Sequence, residues 1–209
     1  MNIARVLYPV EVLGPGKRLA IWLSGCPHHC PGCSNPELWA AEKYQKITVG
    51  KFLEAIHQIF VQEGNEIDGV TITGGEPFFQ LDELEKLIMG LQQYTNDILV
   101  YTGYTIEELL EKNNQKIIKL MDVIAVLIDG RYMEELNTGC VLRGSSNQVI
   151  HILNESMRET YEKYLKLPNQ IQNFITLDGV ISVGIHTPGF NRELKHKANR
   201  KGLIIKRGE

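Results

Sequence analysis

The chain has 209 residues, and its 22 lysines and arginines against 25 aspartates and glutamates give a formal net charge of −3. With 43% apolar and 22% charged residues it resembles an average globular domain, which excludes a disordered or fibrous chain. No block of basic residues indicates nucleic-acid binding, and no apolar run approaches the roughly 18 residues that span a bilayer. The N-terminus lacks the apolar core of a signal peptide, so we expect a cytoplasmic protein with neither a membrane nor a nucleic acid as partner.

Strand-like and helix-like segments alternate over the first three-quarters of the chain. Strands are predicted at Leu19–Ser24, Asp68–Thr73, Asp97–Thr102, Val123–Asp129 and Gln148–Leu153. Helices are predicted at Thr48–Glu63 (with Thr48 as its cap), Leu81–Leu91, from Ile106 onwards, and at Ser156–Leu167. Such alternation is typical of βαβ units with a parallel sheet.

The length limits how many such units the chain can contain. A closed barrel of eight units takes about 250 residues, so this chain holds about five or six. The sequence therefore predicts an α/β fold with an incomplete, open parallel βα barrel over residues 1–167. After Pro168, the segments Ile171–Leu177 and Val180–His186 are joined by Asp178-Gly179, which predicts a β-hairpin. Residues 168–209 are thus expected to form a C-terminal extension packed on the same domain.

The four cysteines are distributed unevenly. Cys26, Cys30 and Cys33 form a C-x3-C-x2-C pattern in a loop rich in glycine and proline, directly after a predicted strand, and Cys140 stands alone. Disulfides within so short a loop would be strained, and clustered cysteines in a cytosolic chain more often bind metal or carry redox chemistry. Structural zinc and iron–sulfur clusters both usually take four protein ligands, so three thiolates leave one coordination position open.

A second motif follows the next predicted strand, at Gly74-Gly75-Glu76-Pro77. Together with the cysteine triplet it resembles the radical S-adenosylmethionine (SAM) superfamily. Cys33-Ser34-Asn35-Pro36-Glu37-Leu38-Trp39 is similar to the C-x-N-x-x-x-W run of enzymes that activate glycyl-radical proteins. Three further stretches resemble the anaerobic ribonucleotide reductase activases: Tyr101–Tyr104, Leu127–Tyr132 and Leu142–Gln148. The resemblance as a whole extends from about Tyr8 to about Leu153, roughly 70% of the chain.

The resemblance implies a cofactor set and a set of site residues. Three cysteines would hold a [4Fe-4S] cluster, and the amino and carboxylate groups of S-adenosyl-L-methionine would chelate the fourth iron. Carried over position by position, the cluster ligands are Cys26, Cys30 and Cys33. The residues expected to bind SAM are Gly32, Ser34, Gly74, Gly75, Glu76, Pro77, Thr102 and Asp129.

The resemblance also implies a reaction and partners. A reduced cluster would cleave SAM, and the resulting radical would take hydrogen from a glycine of a partner glycyl-radical protein, with a flavodoxin- or ferredoxin-type electron donor. Two alternatives stay open: a radical SAM enzyme that modifies another peptide or a nucleotide, and a non-catalytic metal-binding or redox module.

A few further residues are interpreted without a role in this chemistry. His28 and His29 are expected to face solvent or a partner, and Cys140 is expected to act as a small apolar residue. The roles of Arg131 and Arg143 stay open.

Overall fold

In the computed structural model, residues 1–44, 46–62, 64, 66–177 and 179–202 are described, and they contain a six-stranded sheet with the strand order β1-β2-β3-β4-β5-β6. The four inner strands are mutually parallel, and β1 and β6 pair antiparallel at the two edges. The strands are β1 (Ile3–Val10), β2 (Arg18–Leu23), β3 (Gly69–Gly74), β4 (Ile98–Tyr101), β5 (Val126–Asp129) and β6 (Val149–Ile152).

The α-helices lie between and after these strands. They are α1 (Val49–His57), α2 (Leu81–Leu91), α3 (Ile106–Glu111), α4 (Gln115–Met121), α5 (Arg158–Tyr164) and α6 (Phe190–Arg200). Short 3-10 turns cover Pro36–Leu38, Ala41–Lys43, Pro77–Gln80, Glu134–Leu136 and Glu155–Met157, and a π-helical turn covers Gln58–Gln62. Thr48 caps α1 as predicted, because its hydroxyl accepts a hydrogen bond from the Lys51 N–H at 3.3 Å. Glu63, the predicted end of this helix, lies outside the described residues.

The predicted α/β class and mostly parallel sheet are confirmed, with two differences at the edges. The strand β1 was not predicted, since Arg5 and Pro9 interrupt its apolar pattern. The prediction that Gln148–Leu153 continues the parallel series is wrong, because β6 runs antiparallel to β5. The link between these two strands contains only a short 3-10 turn, whereas a parallel return usually runs through an α-helix. The barrel of the radical SAM type stays a prediction.

Apolar side chains cover both faces of the sheet. On one face, helices α1, α2 and α4 pack through residues such as Phe52, Leu84 and Leu120 against β2, β3 and β4. On the other face, Tyr161 of α5 packs over β4 and β5. Both-sided cover explains why β2, β4 and β5 read as continuous apolar runs rather than as alternating ones.

A polar network is buried within this second face. Arg18 donates from Nε to the Thr71 hydroxyl at 2.7 Å and from a terminal nitrogen to Asp97 Oδ2 at 2.6 Å. The Tyr161 hydroxyl donates to the other oxygen of Asp97 at 2.6 Å. Because a buried charge is costly unless it is paired, this network fixes β2, β3, the start of β4 and α5 in one arrangement.

The C-terminal extension begins with a separate two-stranded antiparallel sheet, β7 (Ile171–Thr176) and β8 (Gly179–Gly184), which confirms the predicted hairpin. Asp178, the first residue of the predicted turn, lies outside the described residues. The Gln172 side chain accepts from the Glu11 N–H and donates to the Pro9 carbonyl, both at 2.9 Å. Val183 packs with Val10 and Trp22 on the second face of the sheet. The division at residues 167 and 168 stays a prediction.

Within the part of the chain that the structure describes, no helix has both the length and the apolar character needed to cross a bilayer.

Candidate functional site

A cavity opens at the carboxyl ends of β2, β3 and β4. Because these strands are parallel, the loops that follow them meet at one edge of the sheet, which is where α/β proteins usually place their sites. The three cysteines of the triplet all line this cavity, opposite the Gly74–Glu76 turn and Thr102. The cysteine triplet and the Gly-Gly-Glu-Pro turn, which the sequence predicted to act together, therefore lie at the same cavity.

The cysteine loop is held in place by its own backbone. The N–H groups of Gly25 and Cys26 donate to the carbonyls of Leu38 and Trp39, at 2.8 and 3.0 Å. Inside this closed loop, the Cys33 N–H donates to the Cys30 carbonyl at 3.2 Å, and the Asn35 N–H lies 3.4 Å from Cys33 Sγ. All three thiols are free and partly buried, so they converge on the cavity without forming a disulfide.

The described residues contain no group of three Cys, His, Asp or Glu side chains arranged to hold a single metal ion. A zinc site needs its ligands around one atom, whereas in a cubane each thiolate binds a different iron. The three cysteines that line the cavity could thus supply one thiolate to each of three irons of a cluster.

Burial sets the acidity of two of these thiols. Burial raises the pKa of Cys26, against an opposing effect of the backbone at His28 and His29. Burial also raises the pKa of Cys33, and here the backbone of Asn35 and the Trp39 side chain act in the opposite direction. Metal binding must displace these protons, since the thiolate is the ligand.

Among the described residues near the triplet, Trp39 is the one whose buried donor lacks a hydrogen-bond partner. Its Nε1 is buried and forms no hydrogen bond with the described residues, while its ring stacks on His29 with centroids 4.8 Å apart. The indole lowers the pKa of Cys33, which means that it favours the thiolate over the thiol. An unsatisfied N–H beside a thiol is thus suited to a negatively charged sulfur, and this observation supports the fit of a cluster to the site.

Glu76 is fully buried and its carboxylate is surrounded by donors. One oxygen accepts from the Phe78 N–H and the Thr102 hydroxyl, both at 2.9 Å, and the other accepts from the Gly103 N–H at 2.7 Å. His28 Nε2 lies 3.2 Å from this second oxygen, and its side chain is only 5% exposed. The expectation that His28 faces solvent or a partner is therefore wrong, whereas His29 is exposed as expected. The pair joins the cysteine loop to the ends of β3 and β4.

The two glycines before Glu76 are required by the protein's own backbone. Gly74 has φ +110°, and a side chain there would collide with the backbone of Leu23 at the end of β2. A side chain at Gly75 would collide with the backbone of Gly25. The turn and the cysteine loop therefore approach each other more closely than any other residue type allows.

The remaining predicted residues are divided between the cavity and its surroundings. Ser34 lines the cavity, but Gly32 faces the Glu134 side chain and Pro77 is buried at the start of a 3-10 turn. Asp129 lines a neighbouring pocket instead, and it accepts from the Ile106 N–H at 2.7 Å and from His151 Nε2 at 2.9 Å. The structure thus does not bring Asp129 to the cysteine cavity.

The residues with open roles lie outside this centre. Arg143 donates to the carbonyls of Ser146 and Gln148, so it supports its own loop, and Arg131 lines the neighbouring pocket. Cys140 Sγ lies 3.2 Å from the Thr138 hydroxyl and does not line the cysteine cavity.

One wall of the cavity was not predicted at all. It is formed by the second strand of the hairpin and the two residues after it, Ser182–His186. The sequence indicated a hairpin but gave no sign of where it would pack, because the contacts that seat it are with residues more than 150 positions away.

Comparison with known proteins defines the class of this site. Residues 12–151 match the family described as "4Fe-4S single cluster domain". This segment includes the cysteine triplet, the Gly-Gly-Glu-Pro turn, the whole of β2 to β5 and most of β6, but not β1. The chain is therefore a member of an iron–sulfur protein family. The match ends before the hairpin.

Individual relatives narrow the family further. The chain is 33% identical over 156 residues to the anaerobic ribonucleoside-triphosphate reductase-activating protein of Escherichia coli K12, covering 70% of this chain and 96% of the relative. It is 33% identical over 153 residues to the protein of the same name from enterobacteria phage T4, covering 71% and 92%. The chain thus belongs to the family of anaerobic ribonucleoside-triphosphate reductase-activating proteins, which confirms the resemblance found in its sequence.

Proposed function

We propose that the protein binds a [4Fe-4S] cluster and SAM in the cysteine cavity and generates a glycyl radical on an anaerobic ribonucleoside-triphosphate reductase. The observation that carries the proposal is the convergence of Cys26, Cys30 and Cys33 on one cavity that the Gly74–Glu76 turn also lines. The names of the relatives support the partner, and the family description supports the cluster.

The three thiolates would hold three irons and leave the fourth open to SAM. When bound, the cluster and SAM would supply one-electron reductive cleavage of the C5′–S bond and hydrogen abstraction from a glycine Cα. The electron comes from a flavodoxin- or ferredoxin-type donor, and the products are methionine and 5′-deoxyadenosine.

The chain's own residues would orient these groups. The Trp39 indole lowers the pKa of Cys33, and its N–H, which has no hydrogen-bond partner among the described residues, would stabilise charge on the ligand sulfur. Ser34 and Thr102, with the turn at Gly74 and Gly75, line the cavity in which SAM would lie. Gly32 and Pro77 would shape the cysteine loop and the turn from outside the cavity.

Glu76 would bind the SAM ammonium differently from a simple free carboxylate. Four donors already surround its two oxygens, which is about the number of lone-pair sites that a carboxylate has. An incoming ammonium would therefore compete with His28, the one side chain of the four that belongs to the cysteine loop. Binding of SAM would then release His28 from Glu76.

The proposal is tested by electron paramagnetic resonance on the reduced, reconstituted protein, mixed anaerobically with SAM and the purified reductase of the same organism. We expect a glycyl-radical signal on the reductase. The signal should disappear when Cys30 is replaced by alanine and should persist in Cys140→Ala. SAM cleavage without a signal on the reductase would contradict the assigned partner and favour another peptide substrate.

A further inference from the structure

The β7–β8 hairpin connects the cavity with the surface. Its base is at Ile171 and Gly184, which pair with each other, and Ser182–His186 at this end line the cysteine cavity. Its tip carries three apolar side chains: Ile175 is 90% exposed, Val180 is 67% exposed and Leu177 is fully exposed. The same element is therefore a wall of the site at one end and an apolar projection at the other.

The base of the hairpin is held firmly on the body of the protein. Val183 is buried against the second face of the sheet, and Gln172 forms hydrogen bonds with Pro9 of β1 and with Glu11 just after that strand. Asn137 donates to the His186 carbonyl and Asn169 donates to the Ile185 carbonyl, each at 2.8 Å. A tip built on such a base keeps a fixed position relative to the cavity.

The apolar tip has no partner within the described residues that would explain its composition. Ile175 and Val180 are a cross-strand pair on one face of the hairpin, and Leu177 follows in the turn. Single exposed apolar residues are ordinary, but several together on one projection indicate a surface that another molecule covers.

Helix α6 places a cationic surface after the hairpin. The segment 190–202 carries five cationic side chains and one carboxylate in a chain of net charge −3, and within the described residues its charged side chains form no ion pair. The apolar Phe190 of this helix stacks on His186, with ring centroids 4.2 Å apart, so the start of α6 contacts the base of the hairpin. The cations are Arg192, Lys195, Lys197, Arg200 and Lys201, and all five are exposed.

We propose that the hairpin tip, Ile175, Leu177 and Val180, docks on an apolar patch of the glycyl-radical protein whose glycine enters the cavity, and that the cations of α6, at the base of the hairpin, meet an acidic surface of the same protein. This inference rests on the proposed function. A protein is the favoured occupant because the surface is continuous with the wall of a cavity that must admit a loop of that protein. The family match ends at residue 151, so the hairpin lies outside the shared 4Fe-4S domain, where it could bind a particular partner protein.

The test uses a triple variant of the tip, Ile175→Thr, Leu177→Ser and Val180→Thr, in the full-length, reconstituted protein. Threonine keeps the β-branched shape that suits a strand, so the hairpin is retained. The matched control is Ile118→Thr with Leu110→Ser, at exposed apolar positions of α4 and α3 on the helix-covered face. Iron content and thermal midpoint are measured first, and both variants should match the wild type.

Two activities are then compared. Without partner, 5′-deoxyadenosine formation from SAM under reduction should be equal in wild type, tip variant and control. With reductase, the concentration needed for half-maximal glycyl-radical yield should rise roughly tenfold or more in the tip variant only, as is usual when an apolar anchor is lost from an interface. Superimposable titrations of wild type and tip variant would overturn the docking role.

Other outcomes separate the docking role from its alternatives. If the wild type forms no 5′-deoxyadenosine, the proposed function fails, whatever the tip does. A membrane is tested by sedimentation with vesicles of anionic phospholipid: vesicle binding that is lost in the tip variant, with an unchanged reductase titration, would overturn the protein partner. No vesicle binding together with a weakened titration is the result that we expect.

Discussion

His28 Nε2 lies 3.2 Å from Oε2 of Glu76, so a buried pair joins the cysteine loop to the turn that follows β3. Both side chains are nearly inaccessible to solvent, and the carboxylate has three further donors from the β3 and β4 ends. The cysteine loop and the Gly-Gly-Glu-Pro turn are therefore joined into one structural unit by the protein's own side chains.

Glu76→Gln should destabilise the cluster-free protein. The amide cannot accept from all of these donors, and it places its own N–H2 group against one of them, which leaves buried groups unpaired. We expect a loss of about 3 kcal/mol in the free energy of unfolding, measured with urea. Glu155→Gln is the matched control, since Glu155 pairs with Arg158 on the surface, and it should unfold like wild type. Equal stability of the two variants would contradict the structural role of Glu76.

Tyr161→Phe should weaken the buried network around Arg18. The substitution removes the hydrogen bond to Asp97 at 2.6 Å without changing the packing of the ring. We expect a loss of about 1–3 kcal/mol of unfolding free energy in urea, because a charged buried acceptor loses a donor. Tyr44→Phe is the control, since the Tyr44 hydroxyl has no hydrogen bond with the described residues. A loss in Tyr161→Phe no larger than the loss in Tyr44→Phe would contradict a stabilising role of the hydrogen bond to Asp97.

Trp39→Phe should make the reconstituted cluster harder to reduce. The indole N–H favours negative charge on the Cys33 sulfur, and reduction adds negative charge to the cluster. We expect the midpoint potential to fall by roughly 20–60 mV in a redox titration followed by electron paramagnetic resonance, with unchanged iron content. An unchanged or higher potential would mean that the donor points elsewhere once the cluster is bound.

Alkylation of Cys26 and Cys33 in the cluster-free protein should be slow at neutral pH and should rise with pH. Burial raises both pKa values, so at pH 8 a smaller fraction is thiolate in the folded chain than in the unfolded chain. The folded state therefore holds these protons, and its stability falls as the pH rises above about 8.5, the ordinary thiol pKa.

The measurement is site-resolved mass spectrometry after iodoacetamide treatment between pH 7 and pH 10. The same cysteines in urea serve as the control, because unfolding removes the burial. Faster alkylation of the native protein than of the unfolded one at pH 8 would contradict the assigned pKa direction.

Local patterns were sufficient to predict the parallel strands and the two motifs. Each inner strand is a short apolar run that ends at a polar or glycine-rich turn, and the carboxyl ends of parallel strands share one edge, so Cys26 and Glu76 had to meet. The Asp178-Gly179 dipeptide likewise indicated the hairpin, because it is a typical two-residue turn.

The parts that were missed depend on contacts between distant residues. No spacing rule links His28 with Glu76, 48 positions apart, or Gln172 with Pro9. The direction of β6 depends on a link without a crossover helix, and an apolar run gives no direction by itself. Asp129 was expected to bind SAM because the family resemblance implies it, but its carboxylate turns to His151 and the α3 backbone.

The most direct test of the central claim is the formation of 5′-deoxyadenosine by the reconstituted, reduced protein with SAM. We expect wild type and Cys140→Ala to form it together with methionine in equal amounts, and Cys30→Ala to form none. The absence of product from the wild type, or equal product from Cys30→Ala, would contradict a three-cysteine cluster with an open iron.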